Sequence, residues 1–289
     1  MYYSQPVTDL IRKRVSCRHY LQTPIEEGMR RSLQGFLSEL EAGPFGTAVR
    51  FTLIAATERE RSELRGLGTY GFIQGASGFI VGAVGPGEKN LEDYGYLMER
   101  AVLYATDLGL GTCWLGGTFT KSRFARKIGA RRGEQVPAVT ATGTIAGKPY
   151  APDVVARAVA GSDRRLPWEA LFFDSRFDAP LRPEAAGAYA TPLEMVRLGP
   201  SASNKQPWRI VREGAQWNFC LQRARLYRPR TLGLVGVADM PRLDLGIAMC
   251  HFELSARELG LSGAWQVVST GMARADERVE YVVTWIEAC

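Results

Sequence analysis

The sequence predicts an α+β sandwich with a mixed or mostly antiparallel sheet, built from two tandem copies of one unit that pack as a pseudo-dimer. Three observations predict it. A gapless internal repeat pairs two long stretches of the chain. Helix-like and strand-like segments alternate irregularly rather than in a βαβ winding. A hairpin-like pair of strands lies in residues 208–222. The length of 289 residues matches two domains of roughly 150 residues each.

The repeat is the firmest element. Residues 91–114 (LEDYGYLMERAVLYATDLGLGTCW) align with residues 242–265 (RLDLGIAMCHFELSARELGLSGAW) at an offset of 151. Nine of 24 positions are identical, among them Asp93/Asp244, Gly95/Gly246 and Trp114/Trp265. Each copy reads as an amphipathic helix closed by a glycine, Gly109 or Gly260, and then a turn toward a strand. Further out, residues 18–24 face residues 175–180, and residues 40–44 face residues 196–200. A period this long marks a fused dimer, not a solenoid with repeats of about 20–50 residues. The units are taken as 1–165 and 166–289, joined near Gly161-Ser162-Asp163.

The remaining elements follow in order. A short basic helix spans residues 8–13. Thr23-Pro24-Ile25-Glu26 and Thr191-Pro192-Leu193-Glu194 read as capping boxes opening helices. Strands are expected at 49–56, 78–84, 136–145, 208–211, 217–222 and 279–286.

Composition excludes several classes. The chain is 46% hydrophobic and 23% charged, as globular chains are. It has no run of about 18 apolar residues to span a membrane, and the N-terminus does not read as a signal peptide. The cysteines Cys17, Cys113, Cys220, Cys250 and Cys289 are odd in number and widely spaced, which points to reduced thiols in a cytoplasmic protein. With only His19 and His251, a His/Cys metal site is not expected. The net charge is +6, with 30 Arg against 6 Lys. Arginine suits bidentate recognition of phosphate or carboxylate. A basic balance can also mean nucleic-acid binding, but no DNA- or RNA-reading motif accompanies it.

Five segments are candidates for chemistry. In the extended segment Arg14-Val15-Ser16-Cys17-Arg18, alternate residues point the same way, so two guanidinium groups and a hydroxyl can converge on a phosphate. A solvated basic face explains the same residues equally well. The loop Gly199-Pro200-Ser201-Ala202-Ser203-Asn204-Lys205-Gln206-Pro207-Trp208 is stiffened by prolines and offers polar groups for the rim of a flat heterocycle. Its plain reading is a helix–strand connection. Gly116-Gly117, after Trp114, allows backbone N–H groups to approach a ligand, or is simply a turn. Arg164-Arg165 sits at the join, where a solvated linker is the simpler view. Gly66-Leu67-Gly68-Thr69-Tyr70-Gly71 matches G-x-G-x-x-G but follows a charged helix-like run, not a strand, and is read as a decoy. The first copy holds the Arg-x-Ser-x-Arg cluster and the second the polar loop, which suggests one complete site between the halves.

Arg14-x-Ser16-x-Arg18, the GPSASNKQPW loop and the run LGLGTCWLGG together resemble the nitroreductase family of FMN-dependent oxidoreductases. The chain is most similar to the branch in which one polypeptide holds two nitroreductase-like units, the TM nitroreductase type. That resemblance implies a nitroreductase-like sandwich. It implies that Arg14, Ser16 and Arg18 hold the FMN phosphate, that Pro200, Ser201 and Asn204 line the isoalloxazine ring, and that Gly116 and Gly117 present backbone N–H to the flavin N5. Arg164 or Arg165 would reach the phosphate and ribityl chain. Gln74 would stand where the family often has a lysine on the pyrimidine side, a departure that weakens stabilisation of the reduced flavin. The implied function is ping-pong reduction of nitroaromatics, quinones or similar small acceptors by NADH or NADPH, with the chemistry carried by FMN and no catalytic side chain. The implied partners are small molecules, not nucleic acid or membrane, and the chain is expected to be a monomer with an internal two-fold. The other readings are a flavin protein of the same fold with a different reaction, such as dehalogenation or flavin breakdown, or without turnover, and a basic interaction module without cofactor.

Overall fold

The computed structural model describes residues 2–57, 64, 67, 69, 71, 73–117, 119–147, 164–224, 227, 237–268 and 278–288. The proposed join at 161–163, half of the 66–71 decoy (residues 66, 68 and 70) and Cys289 lie outside them.

The first half opens with helices α1 (Val7–Lys13) and α2 (Glu27–Ser38). Strands β1 (Val49–Ala55) and β2 (Gly78–Val84), helix α3 (Asn90–Asp107), strand β3 (Gly111–Leu115), helix α4 (Lys121–Lys127) and strand β4 (Val139–Gly143) follow. The strands form an antiparallel sheet of order β1-β2-β4-β3. Strand β2 is buried along its whole length, which explains its unbroken apolar run. Phe79 and Val81 join one core cluster and Ile80 and Val84 the other, as alternation across a pleated strand requires.

The second half contains β5 (Phe172–Asp174), α5 (Ala190–Arg197), β6 (Trp208–Glu213), β7 (Gln216–Gln222), α6 (Met240–Glu258), β8 (Gly263–Gln266) and β9 (Val279–Glu287). Its sheet has the order β5-β6-β7-β9-β8, antiparallel except for the parallel β5–β6 pair. Four of these strands thus repeat the order of the first sheet. The β6–β7 hairpin turns at Gly214, whose φ of +59° suits glycine. Trp208, Trp217 and Trp285 are fully buried on this sheet.

The long helices α3 and α6 cross between the halves. Gly95 and Gly246 make the approach possible: a Cβ on Gly95 would overlap the Leu243 carbonyl oxygen, and one on Gly246 the Glu92 carbonyl oxygen. Arg242 on α6 ties the same crossing by pairing with the buried Glu92 at 2.6 Å. Gly109 and Gly260 close the two helices with φ of +81° and +74°, as a left-handed C-terminal residue does.

Three local expectations are corrected. Thr23 opens no helix: Glu26 precedes α2 and its carboxylate accepts from the Gly28 amide at 3.0 Å. Thr191 lies inside α5, because a turn of 3-10 helix at Gly187–Tyr189 runs directly into that helix. Residues 18–24 and 175–180 are not equivalent. His19 bridges Gln74, which precedes β2, and Tyr20 bridges Ile145, which follows β4, whereas Ser175 follows the edge strand β5 and its amide donates to the Arg212 carbonyl of β6.

Candidate functional site at the border of the two halves

The basic segment after α1 lies along β3. Arg14 leaves the helix in extended conformation, its amide still bonded to the Leu10 carbonyl. Ser16 bridges Thr112 in parallel, and the Cys17 amide donates to the Thr112 carbonyl at 2.8 Å. Arg14 is buried, Ser16 and Arg18 are half-buried, and Val15, on the opposite side, is exposed. Gln74 is held beside this segment by its backbone, donating to the Arg18 carbonyl and accepting from the Tyr20 amide, both at 2.9 Å, with its residue surface exposed.

Strand β3 then leads to Gly116 and Gly117. A Cβ on Gly116 would overlap the Met240 sulfur at the start of α6. Gly117 is exposed, with open space where its Cβ would be. The first half therefore reaches the second through bare backbone.

The loop at 199–207 arrives on the same helix. Both oxygens of Asp244 accept from the Ala202 amide, at 3.0 and 3.1 Å. Met240 and Asp244 are four residues apart and so share one face of α6. That face receives Gly116 from one half and the polar loop from the other. Burial pushes the Asp244 carboxyl up to about 8, the nearby Asp239 adds to the rise, and the Ala202 amide opposes it. Its counterpart Asp93 on α3 accepts from the Phe45 and Thr47 amides of the loop after α2. Desolvation also raises the Asp93 carboxyl.

The loop is held in an unusual shape. Ser203, Asn204 and Gln206 have φ of +50°, +51° and +47°, a region that costs non-glycine residues energy and recurs at functional sites. Gln206 fixes it: its amide donates to Ser201 Oγ at 2.9 Å, and its Oε1 accepts from the Leu166 amide at 2.9 Å. Asn204 Nδ2 donates to the Arg164 carbonyl at 2.7 Å, and its Oδ1 accepts from Arg165 Nη1 at 3.2 Å. Arg165 Nη2 reaches the Leu198 carbonyl at 3.2 Å. Arg164 and Arg165 are thus strapped onto the loop and are no loose linker. Pro200 is half-buried at the loop's start.

The predicted residues fall into two groups. Arg164, Arg165, Pro200, Ser201 and Asn204 form one connected cluster. Arg14, Ser16 and Arg18 lie on the segment that pairs with Thr112 of β3, Gln74 is bonded to Arg18 through the backbone, and Gly116 and Gly117 follow the end of β3. Asp244, Met240 and Gln206 complete the arrangement and were not among the predicted site residues. Asp244 carried a signal in the sequence: an acidic residue repeated at the same place in two otherwise apolar helices.

The donor set fits a flavin phosphate ester. Two guanidinium groups and a hydroxyl follow one extended segment paired with β3, and the same strand leads to Gly117, whose backbone is exposed with open space in place of a side chain.

The family described as Putative TM nitroreductase matches residues 6–256. The chain belongs to the TM nitroreductase family. The crystal structure of a putative nitroreductase from Thermotoga maritima is similar to this chain over 98% of its length and 94% of that chain, with a TM-score of 0.60 and 19% identity. It shares the α+β fold with antiparallel sheets. An oxidoreductase containing FMN is similar over 54% of this chain and 85% of its own, with 21% identity and a TM-score of 0.44. A nitroreductase family protein from Clostridium novyi is similar over 50% of this chain and 87% of its own, with 21% identity and a TM-score of 0.39. No curated protein matches the chain. Among the described residues, no helix is long and apolar enough to cross a membrane. No group of three metal-ligating side chains occurs among them either.

Proposed function

We propose that this member of the TM nitroreductase family is an FMN-dependent NAD(P)H oxidoreductase that reduces nitroaromatic, quinone or similar small acceptors. It consists of two nitroreductase-like units, 1–165 and 166–289, which share one site as a fused dimer would. The observation that carries this reading is the shared face of α6, where Gly116 of the first half and the 199–207 loop of the second meet within one helical turn. The matching strand orders of the two sheets, the paired roles of Asp93 and Asp244, and the reciprocal packing of Gly95 and Gly246 support the duplication.

FMN, when bound, would supply two-electron chemistry between NADH or NADPH and the acceptor, and the ping-pong cycle this implies needs no catalytic side chain. Arg14, Ser16 and Arg18 bind the phosphate. Arg164 and Arg165, held by Asn204, add positive charge toward the ribityl chain. Pro200, Ser201 and Asn204 form the rim of the ring site, with Asp244 fixing the loop through the Ala202 amide. Gly116 and Gly117 offer their backbone N–H groups. Gln74 is neutral and contributes no charge to the pyrimidine side. The chain acts as a monomer because its two-fold interface is internal.

Flavin content tests the reading. The purified protein is expected to be yellow, with one FMN per chain, and to oxidise NADH or NADPH in the presence of nitroaromatics or quinones. A colourless protein that takes up no added FMN overturns it.

A further inference from the structure

We propose that the cavity between α4 and the residues leading into α6 binds the anionic group of a small amphipathic acceptor, with Lys121 as the cation that selects it. This rests on the reductase reading above and narrows its substrate class to acceptors that carry a carboxylate or similar anion beside their reducible group.

The cavity has a volume of about 330 Å³ and is lined by Lys121, Ser122, Ala125, Gln135, Val136, Val237 and Ala238. That is room for one small ligand, at the lower end of the usual range of roughly 300–1,000 Å³. One wall continues from Gly116 and Gly117 into α4; the other, Val237 and Ala238, continues into Met240. Both walls therefore lead back to the Gly116–Met240 contact, so the cavity adjoins the border of the halves. Its lining divides chemically. Ala125, Val136, Val237 and Ala238 give an apolar side, while Lys121, Ser122 and Gln135 give a cation, a hydroxyl and an amide.

The charges nearby favour an anion. Helix α4 carries Lys121, Arg123, Arg126 and Lys127 and no acidic residue. The carboxylates next to the cavity are engaged elsewhere: Glu134 by Arg50 at 2.7 Å, and Asp239 by Arg223 at 2.8 Å. No carboxylate among the described residues pairs with Lys121; its ammonium faces the Phe119 ring at 5.8 Å from the centroid. Burial lowers the Lys121 ammonium below its ordinary value, so a bound anion restores what desolvation removes.

Calorimetry with benzoate, which cannot be reduced, reads the cavity without redox chemistry. Wild-type protein should bind benzoate but not benzamide. Lys121→Met should weaken benzoate about 10–100-fold, the size of one charge-assisted hydrogen bond, and Lys121→Arg should recover most of it. Ala238→Phe, which fills the cavity from the opposite wall, should also block benzoate, so the test survives if Lys121→Met does not fold. In turnover, the ratio of kcat/KM for 4-nitrobenzoate to that for nitrobenzene should fall about tenfold or more in Lys121→Met. Benzoate binding that is absent, or equal in wild type and both Lys121→Met and Ala238→Phe, overturns the proposal. Flavin-loaded protein that reduces nitrobenzene but ignores benzoate loses only the cavity proposal. Flavin-free, inactive protein that still binds benzoate through Lys121 loses only the reductase reading.

Discussion

Gly95 and Gly246 face each other's helices at the crossing of α3 and α6, each occupying the place where a methyl group would strike the opposing backbone. The contact is reciprocal: Gly95 meets Leu243 and Gly246 meets Glu92, and the offset of 151 carries Gly95 onto Gly246 and Glu92 onto Leu243. Backbone cannot yield as a flexible side chain does, so added volume here must separate the helices. Gly95→Ala and Gly246→Ala should each cost about 1–3 kcal/mol or more, seen as a lower Tm. Two variants as stable as the wild type would show that the crossing is not close-packed.

Asp244 links stability to pH. Its carboxyl stands near 8 in the folded chain, against about 3.9 when unfolded. The folded state therefore holds this proton more tightly. The stabilisation is complete below about pH 4 and is lost as pH rises toward 8, with a slope of at most about 1.4 kcal/mol per pH unit. Asp244→Asn keeps an acceptor for the Ala202 amide but does not titrate. Urea denaturation between pH 5 and 8 should show a flatter stability profile for Asp244→Asn than for wild type; equal slopes would count against it.

Arg14 and Arg18 should set the affinity for FMN. Replacing either by alanine removes a charge-assisted phosphate contact and should weaken FMN by roughly 1.5–3 kcal/mol, or about 10–150-fold. Titration of apoprotein by quenching of flavin fluorescence measures it. Unchanged affinity in both variants would move the phosphate elsewhere.

Ser203 is exposed and sits at φ +50°. Glycine tolerates that conformation and a β-branched residue does not. Ser203→Gly should be close to neutral, whereas Ser203→Val should destabilise by about 1–2 kcal/mol and loosen FMN. Thermal melts and flavin titration of the pair separate a strained loop from a relaxed one.

Glu99 and His251 form a fully buried pair, 2.9 Å apart, joining α3 to α6. Trp114 donates to the other Glu99 oxygen at 2.8 Å, and His251 Nδ1 donates to the Met195 carbonyl at 2.9 Å. Glu99→Ala leaves the buried imidazole without its partner and the Trp114 indole without its acceptor, and should cost about 3–5 kcal/mol. A double-mutant cycle with His251→Ala should give strong coupling, and additive effects would argue that the two act independently.

Much of the fold was legible because its signals are local. Apolar periodicity and the closing glycines gave α3 and α6 to within two residues at each end, and strand β2 was read from 78 to 84 without error. The capping boxes misled for a definite reason. Ser77 bonds the Thr23 carbonyl and holds that residue in the chain before α2, and Tyr189, packed on Trp217 and Phe252, ends the 3-10 turn that runs into the helix containing Thr191. A motif of four residues does not show such distant contacts. In the candidate site, the residue types were readable, but the tethering of Arg164 and Arg165 to Asn204 was not, since it depends on three positive φ angles that sequence does not display.

The sequence by itself determined that two stretches of the chain share nine of 24 residues at one offset and that the regions around them carry different polar clusters, because identity at a fixed offset and residue chemistry survive without coordinates. Only the tertiary structure decided which segments of the two halves reach one another. Gly116 and Ala202 come to one face of α6 because two glycines let the long helices cross closely and a buried carboxylate pins the loop. Contacts of that kind depend on how distant segments close on one another in space, which no local pattern of residues specifies.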